Sequence, residues 1–413
     1  MEKLRKLPGM RDMPQESWAA LNEAQAKLTR LFAKRGYALM ETPILEPTEL
    51  FFRKGGGEMA SQMYSFTDPG GNQVSLRPEY TSSIVRSLIE RERMPKLPVR
   101  VQYAGPVFRY SDDSKAYRQF NQAGVELIGS GEPEADSEVL GLACQGLASM
   151  GVGKVRLVLG DLSLFNALLE SQKLSERARV FVLSQVGLLR EGGKGLEAAM
   201  ERARRFRLLG NGKTVLKELD PSTTSEYGLR SGLAALGPLP EGLSEAPSKA
   251  LISSLLQREE PGALGQRQPD EISERLMRKL QGGEDPKRLE KALELSSKLA
   301  GIRGEPGKAL KQARVLFSSN KLPMESVERL ELVMSLVEKE ELGGAEVTLD
   351  LGLARGIAYY TGIVFEIMDS KGEASLGGGG RYDGLARAMG GSRDLAALGF
   401  AYTLDRVLER AGV

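Results

Sequence analysis

The stretch Arg355–Glu366, RGIAYYTGIVFE, places an arginine, two adjacent tyrosines, a threonine and a glycine directly before the apolar run Ile363–Ile367. A cation and two phenolic rings at the mouth of a strand can hold a small ligand. The arginine suits a carboxylate or phosphate, and the tyrosine rings and hydroxyls suit a flat polar group. If that reading is right, the residues that complete the site must come from elsewhere in the chain.

Composition narrows what the site can be. The chain has 413 residues, enough for two or three domains with a sizeable core. Charged residues make up 27% and hydrophobic residues 41%, the balance of an ordinary globular protein. The net charge of +2 carries no basic excess that would by itself point to nucleic acid. A single cysteine, Cys144, excludes an intramolecular disulfide and fits a reducing cytoplasm. The N-terminal MEKLRKLPGMRDMP lacks the apolar core of a signal peptide, and no apolar run is long enough to cross a membrane. There are no histidines, which removes a serine–histidine triad, imidazole acid–base chemistry and histidine metal ligands. No metal site is therefore expected. A protein needed when histidine is scarce would gain from lacking it; chance or engineering would give the same composition.

Reading outward, residues 13–36 carry Trp18, Leu21, Gln25, Leu28 and Phe32 at helical spacing, with Gly36 as a stop. A strand over Tyr37–Thr42 follows, and Pro43 ends it. Strands are expected at Gln62–Phe66 and Gln73–Leu76 around the turn Asp68-Pro69-Gly70-Gly71. The sequence Arg77-Pro78-Glu79-Tyr80-Thr81 then opens a helix whose apolar side is Ile84, Val85, Leu88 and Ile89. There Thr81 is either a cap or a ligand contact. Glu79 either complements the helix dipole or pairs with a substrate ammonium. Three strands are expected over Val99–Tyr103, Val107–Tyr110 and Tyr117–Ile128. In the last, the two-residue period puts Gln122, Gly124 and Glu126 on one face, suited to a ligand lying across the strand or to solvent. A helix over Glu132–Leu147 and a strand over Val155–Leu159 follow.

Residues 162–345 read as mostly helical, interrupted by Gly and Pro, with clear helical stripes at Lys287–Ala300 and Ser326–Lys339. Strands return at Glu346–Leu351 and Ile363–Ile367. Next comes GGGGRYDG, residues 377–384, either a site of close backbone approach or a plain turn. The end, LGFAYTLDRVLERAGV, reads as a strand and a helix.

Taken together, LRPE-T, VFRY, YRQF-QAGVE, RG--YYTG and GGGGRYDGL, in this order, resemble the motifs of histidyl-tRNA synthetases and their paralogues. The resemblance covers about 1–160 and 345–413. It implies an α+β class II aminoacyl-tRNA synthetase-like core: a largely antiparallel mixed sheet flanked by helices, formed by residues 1–161 and 346–413. A mainly helical insertion would occupy 162–345; its middle, 205–285, matches nothing. The resemblance further implies a histidine pocket of Glu79, Thr81, Arg109, Gln122, Glu126, Arg355, Tyr359 and Tyr360. In it Glu79 and Gln122 would hold the ammonium and Arg109 the carboxylate. Glu126 with the two tyrosines would read the imidazole, and Arg355 would promote adenylate formation. Under a synthetase reading, Arg109 and Arg406 would bind ATP, with Mg.

Apart from Tyr80, the departures from the family pattern fall on ATP or tRNA functions. Ser111 stands where a glutamate contacts adenine, and Ala116 where an arginine nears the phosphates, with Lys115 a partial substitute. Thr403 replaces a glycine beside the base, and Tyr80 replaces the glycine of the LRPEGT motif. Only seven residues follow Arg406, so an anticodon-binding domain of about a hundred residues is not expected. This pattern implies the HisZ branch, the regulatory subunit of ATP phosphoribosyltransferase. That subunit needs no cofactor and does no chemistry itself. Such a chain would be cytoplasmic and form a homodimer through its first helix. It would assemble with the short catalytic subunit HisG and transmit histidine occupancy, with tRNA not a partner. The alternative is a histidyl-tRNA synthetase-like enzyme that forms histidyl adenylate. A third possibility is a bare class II scaffold for protein contacts.

Overall fold

The structure, a computed structural model, describes residues 3–113, 116–206, 208–209, 284–353 and 359–412, with residues 54–58 described by backbone alone. In chain order the strands are β1 (Ala38–Leu39), β2 (Leu45–Pro47), β3 (Ser65–Thr67), β4 (Gln73–Leu76), β5 (Val99–Phe108) and β6 (Gln119–Ile128). They continue with β7 (Arg156–Asp161), β8 (Arg303–Gly304), β9 (Glu346–Asp350), β10 (Ile363–Met368), β11 (Ser375–Arg381) and β12 (Ala397–Thr403). Among the described residues, nine of these form one sheet in the order β1-β5-β6-β12-β11-β10-β7-β9-β8, and β2-β4-β3 form a second. Only β1–β5 and β7–β9 pair in parallel. The large sheet is therefore mixed and mostly antiparallel.

The chain divides into two compact units, residues 1–168 with 298–413, and residues 169–297. The second is narrower than the 162–345 insertion expected from sequence. The helices Pro306–Ser319 and Glu325–Val337 belong to the first unit. The reason is packing: Glu325–Val337 buries Val327, Leu330, Val333, Met334 and Val337, and lies against the helix Pro133–Ser149. Within the second unit, the helix Gly193–Arg205 approaches the turn before it so closely that a Cβ on Gly195 would lie 2.0 Å from the Leu188 carbonyl oxygen. Most of the unmatched stretch 205–285 lies outside the described residues.

Helices cover both faces of the large sheet. On one face lies Gln15–Lys34, which buries Leu21, Ala24, Leu28 and Phe32, with the Phe32 and Phe400 rings 6.0 Å apart edge to face. Trp18, expected on that stripe, is instead exposed, and Ala24 takes part in the buried stripe. Pro133–Ser149 packs on the same side. Pro133 sits at its first position, and Glu134 and Asp136 in its first turn suit the dipole. On the other face the helix Thr81–Ile89 contributes Ile84, Val85 and Leu88. These join Tyr80, Tyr103, Val107, Tyr382 and Leu385 in a buried cluster.

Several elements differ from the sequence expectation. β5 is one strand where two were expected, because Pro106 does not interrupt it. The Pro106 carbonyl turns outward to accept from Arg77 Nε at 2.9 Å, so its nitrogen, which cannot donate, also faces away from β6. The third expected strand begins at Gln119 rather than Tyr117. The helix Thr48–Ser61 forms across Gly55-Gly56-Gly57, a run that reads as a helix breaker. The four glycines 377–380 are not a turn but the middle of β11, hydrogen-bonded between β10 and β12.

Candidate functional site

Strand register builds a hollow on one face of the large sheet. In β6 the residues Gln122, Gly124 and Glu126 share a face, and their partners across β12 are Thr403, Ala401 and Gly399. Gly399 and Ala401 oppose Gly380 and Gly378 of β11, which in turn oppose Val364 and Glu366 of β10. The centre of this face thus carries almost no side chain. The glycines are required there. A Cβ on Gly399 would lie 1.7 Å from Glu126 Oε2, and one on Gly124 2.0 Å from the Phe400 carbonyl oxygen. With its centre stripped, the sheet becomes the floor of a cavity of about 220 Å³.

The walls come from the expected residues. Glu79 and Thr81, at the start of their helix, line one side, and Arg109 closes the end beyond β5. Gln122 rises from the floor, Tyr359 and Tyr360 stand before β10, and Arg406 lies at the far end. Arg355, from the opening stretch, lies outside the described residues. Glu126 does not line the cavity. It is 1% exposed and lies over Gly399 on the same face of the sheet, closed over by Thr81, whose Oγ1 donates to its Oε1 at 2.6 Å, and by Tyr382, whose hydroxyl donates to its Oε2. The Tyr103 hydroxyl lies 3.3 Å from Oε1. The hydroxyls that hold Glu126 are those of Thr81, Tyr103 and Tyr382. Tyr103 and Tyr382, with Glu366 of β10, also line the cavity and were missed in the sequence. Tyr382 lies inside the GGGGRYDG motif, whose glycines drew the attention; Tyr103 became visible only once β5 paired it opposite Gly124.

Electrostatics follow from burial. Burial pushes the Glu126 carboxyl up to about 8 against the three hydroxyls that favour its charge. It also raises Glu79, opposed by the Ser82 hydrogen bonds and by Arg109. The Glu79 carboxylate accepts from Ser82 N at 3.1 and 3.2 Å, so it caps the helix as well as facing the cavity. Tyr103, Tyr359 and Tyr382 are raised well above the usual phenol range by burial and stay neutral donors. Gln122 is 6% exposed, and its Oε1 has no hydrogen-bond partner among the described residues. A buried acceptor left open at a cavity wall calls for a donor from a ligand. Arg109 Nε donates to the Pro78 carbonyl at 2.9 Å, which holds its guanidinium over the Phe120 ring.

The region where the sequence departs from the family pattern is also placed. Arg118 Nε donates to the Ser111 carbonyl at 3.0 Å and its guanidinium stacks on Tyr110 at 4.4 Å. Thr403 ends β12 opposite Gln122 and lines the cavity. Tyr80 fills its glycine's place by stacking on Tyr103, rings 4.4 Å apart, and Gly105 leaves room for its hydroxyl.

The profile of the family described as Histidyl-tRNA synthetase matches residues 9–233 and 257–407. The histidine–tRNA ligase of Pyrococcus horikoshii is 30% identical over 411 residues, covering 98% of this chain and 74% of the relative. The chain belongs to the histidyl-tRNA synthetase family. The histidine–tRNA ligase of Thermococcus kodakarensis is 29% identical over 413 residues, 99% of this chain and 74% of that protein. Among solved structures, a Bacillus halodurans protein described as an ATP phosphoribosyltransferase regulatory subunit/histidyl-tRNA synthetase superposes with a TM-score of 0.64. Its identity is 22%, over 99% of this chain and 84% of that one. The fold is thus the class II synthetase-like α+β fold of this family, its mixed sheet flanked by helices. Among the described residues no helix is long and apolar enough to cross a membrane.

Proposed function

We propose that the cavity binds free L-histidine and activates it with ATP to histidyl adenylate. The observation that carries the histidine part is Gln122: a buried amide oxygen without a partner among the described residues, facing the same cavity as Glu79. An amino-acid ammonium would donate to Gln122 and, as a cation, would draw the raised Glu79 back to its charged form. Arg109 would take the carboxylate. Tyr103, Tyr382 and Thr81, all bound to Glu126, would form the polar wall against which the imidazole packs. For activation, a histidine carboxylate oxygen attacks the α-phosphorus of ATP, forming the acyl–phosphate bond as pyrophosphate leaves. Arg109 would offset charge on the α-phosphoryl group and Arg406, at the far end, on the leaving pyrophosphate. The curated relatives being named histidine–tRNA ligases supports activation as the outcome.

A second reading is favoured by Ser111 and Thr403. By the family resemblance both stand where adenine would be contacted, and Thr403 puts a β-branched side chain into the cavity wall. On that reading the chain is a histidine-sensing regulatory subunit that assembles with a short ATP phosphoribosyltransferase catalytic subunit. Occupancy would then act by biasing two states with unequal histidine affinity. Under either reading the exposed Trp18, Leu39, Ile44 and Leu45 of the first helix and the segment after it support self-association as a dimer.

The test is histidine-dependent ATP–pyrophosphate exchange beside calorimetry of histidine binding on the same protein. Exchange establishes activation. Binding without exchange transfers the assignment to the sensor. Absence of histidine binding overturns both.

A further inference from the structure

One residue joins the two tyrosine-bearing walls. Arg381 ends β11 directly before Tyr382, and is 5% exposed. Its carbonyl accepts from Thr361 N at 2.7 Å and lies 3.3 Å from Thr361 Oγ1, which holds the segment carrying Tyr359 and Tyr360. Thr361 Oγ1 accepts in turn from Asp383 N at 3.1 Å. The Arg381 side chain fixes this joint to the scaffold behind it. Its Nε and Nη2 donate to Asp136 Oδ1 at 3.0 and 2.6 Å, and its Nη1 to the Ser130 carbonyl at 3.1 Å and Asp383 Oδ1 at 3.2 Å. Asp136, fully buried, completes its shell with Arg329 Nη2 at 2.6 Å. Asp383 also accepts from Ala397 N at 2.9 Å, tying the start of β12 to the same group. The approach is close: a Cβ on Gly362 would lie 3.2 Å from Arg381 Cδ.

We propose that Arg381, anchored on Asp136, is a positioning residue that sets the Tyr382 hydroxyl on Glu126 and the Tyr359–Tyr360 pair against the cavity, and so governs ligand affinity without touching the ligand. A planar guanidinium fits because it serves Asp136, Ser130 and Asp383 at once in fixed directions, which an ammonium cannot do. The arrangement also links ligand recognition to the helix Glu325–Val337, since Arg329 shares Asp136. The ligand identity rests on the histidine reading above; the positioning role does not.

The experiment therefore has two arms. In the first, calorimetry measures histidine binding to the wild type, Arg381→Lys, Tyr382→Phe and the double variant, with Asp136→Asn as a milder second disruption if Arg381→Lys unfolds. Arg381→Lys should weaken binding roughly tenfold or more. In the Tyr382→Phe background the same change should cost clearly less than in the wild type, since part of its effect runs through the Tyr382 hydroxyl and only the part through the Tyr359–Tyr360 segment remains. Unchanged affinity, or the same factor in both backgrounds, overturns the proposal. In the second arm, amide exchange is compared on unliganded wild type and variant. Faster exchange confined to Thr361, Tyr382 and Asp383, at an unchanged unfolding midpoint, supports positioning even if the wild type binds no histidine. Unchanged or uniformly faster exchange overturns it.

Discussion

Replacing Glu126 by Gln tests the physics of the cavity without assuming any ligand. The Glu126 carboxyl goes from its ordinary 4.5 in the unfolded chain to about 8 in the folded protein, with burial the main cause. Between those values the folded state holds a proton that the unfolded state has released. The unfolded state then binds fewer protons, so stability falls as pH rises. This contribution is fully present below about pH 4.5 and is lost as the pH passes 8. At about 1.4 kcal/mol per pH unit, the change across that window is on the order of 5 kcal/mol. Glutamine keeps the shape and an acceptor for Thr81 but does not titrate. Glu79, raised in the same direction and electrostatically coupled to Glu126, adds slope to both proteins. Urea denaturation followed by circular dichroism, from pH 5 to pH 9, should therefore show curves that converge or cross. The wild type should be equal or better at pH 5, and Glu126→Gln more stable by a few kcal/mol at pH 9. Parallel curves would refute the picture of a buried, neutral carboxyl held by hydroxyls.

Three further outcomes are expected. Gly399→Ala, which would set a methyl 1.7 Å from Glu126 Oε2, should cost about 1–3 kcal/mol in thermal or urea unfolding and weaken histidine binding. Neutral behaviour in both assays would mean the sheet floor is not closed as described. Tyr80→Gly restores the residue that the family resemblance places there, yet should destabilise by about 3–5 kcal/mol, because here the ring is fully buried and stacked on Tyr103. Urea unfolding reads this directly. Thr403→Gly removes a side chain from the cavity wall and should raise pyrophosphate exchange or, if exchange was absent, allow it to be detected; no gain would remove Thr403 as the obstacle at the adenine end.

The pieces of the site could be read residue by residue, but not their assembly. Glu79, Thr81, Arg109 and Gln122 stood out because each breaks a local pattern: acid and hydroxyl at a helix start, a cation at a strand end, a polar residue on a half-apolar strand. Tyr103 broke none, since an aromatic in a strand is ordinary core. Its role came from the β5–β6 register that set it opposite Gly124. The glycines 377–380 were ambiguous for a related reason. Glycine-rich sequence reads as a turn, and only pairing on both edges made it a strand. The same limit explains the helix Thr48–Ser61, whose internal glycines argue against a helix that tertiary packing of Leu50, Phe51 and Met59 favours.

By itself the sequence determined the class of the fold and the order of its motifs. These depend on residue type and spacing along the chain. Only the tertiary structure decided that Glu126 is closed over by Thr81, Tyr103 and Tyr382. It also decided that Tyr103 and Tyr382 hold that carboxyl, and that Arg381 joins Tyr382 to the segment carrying Tyr359 and Tyr360. Those facts depend on register between strands far apart in sequence. A shift of one residue in any of them turns every side chain to the opposite face.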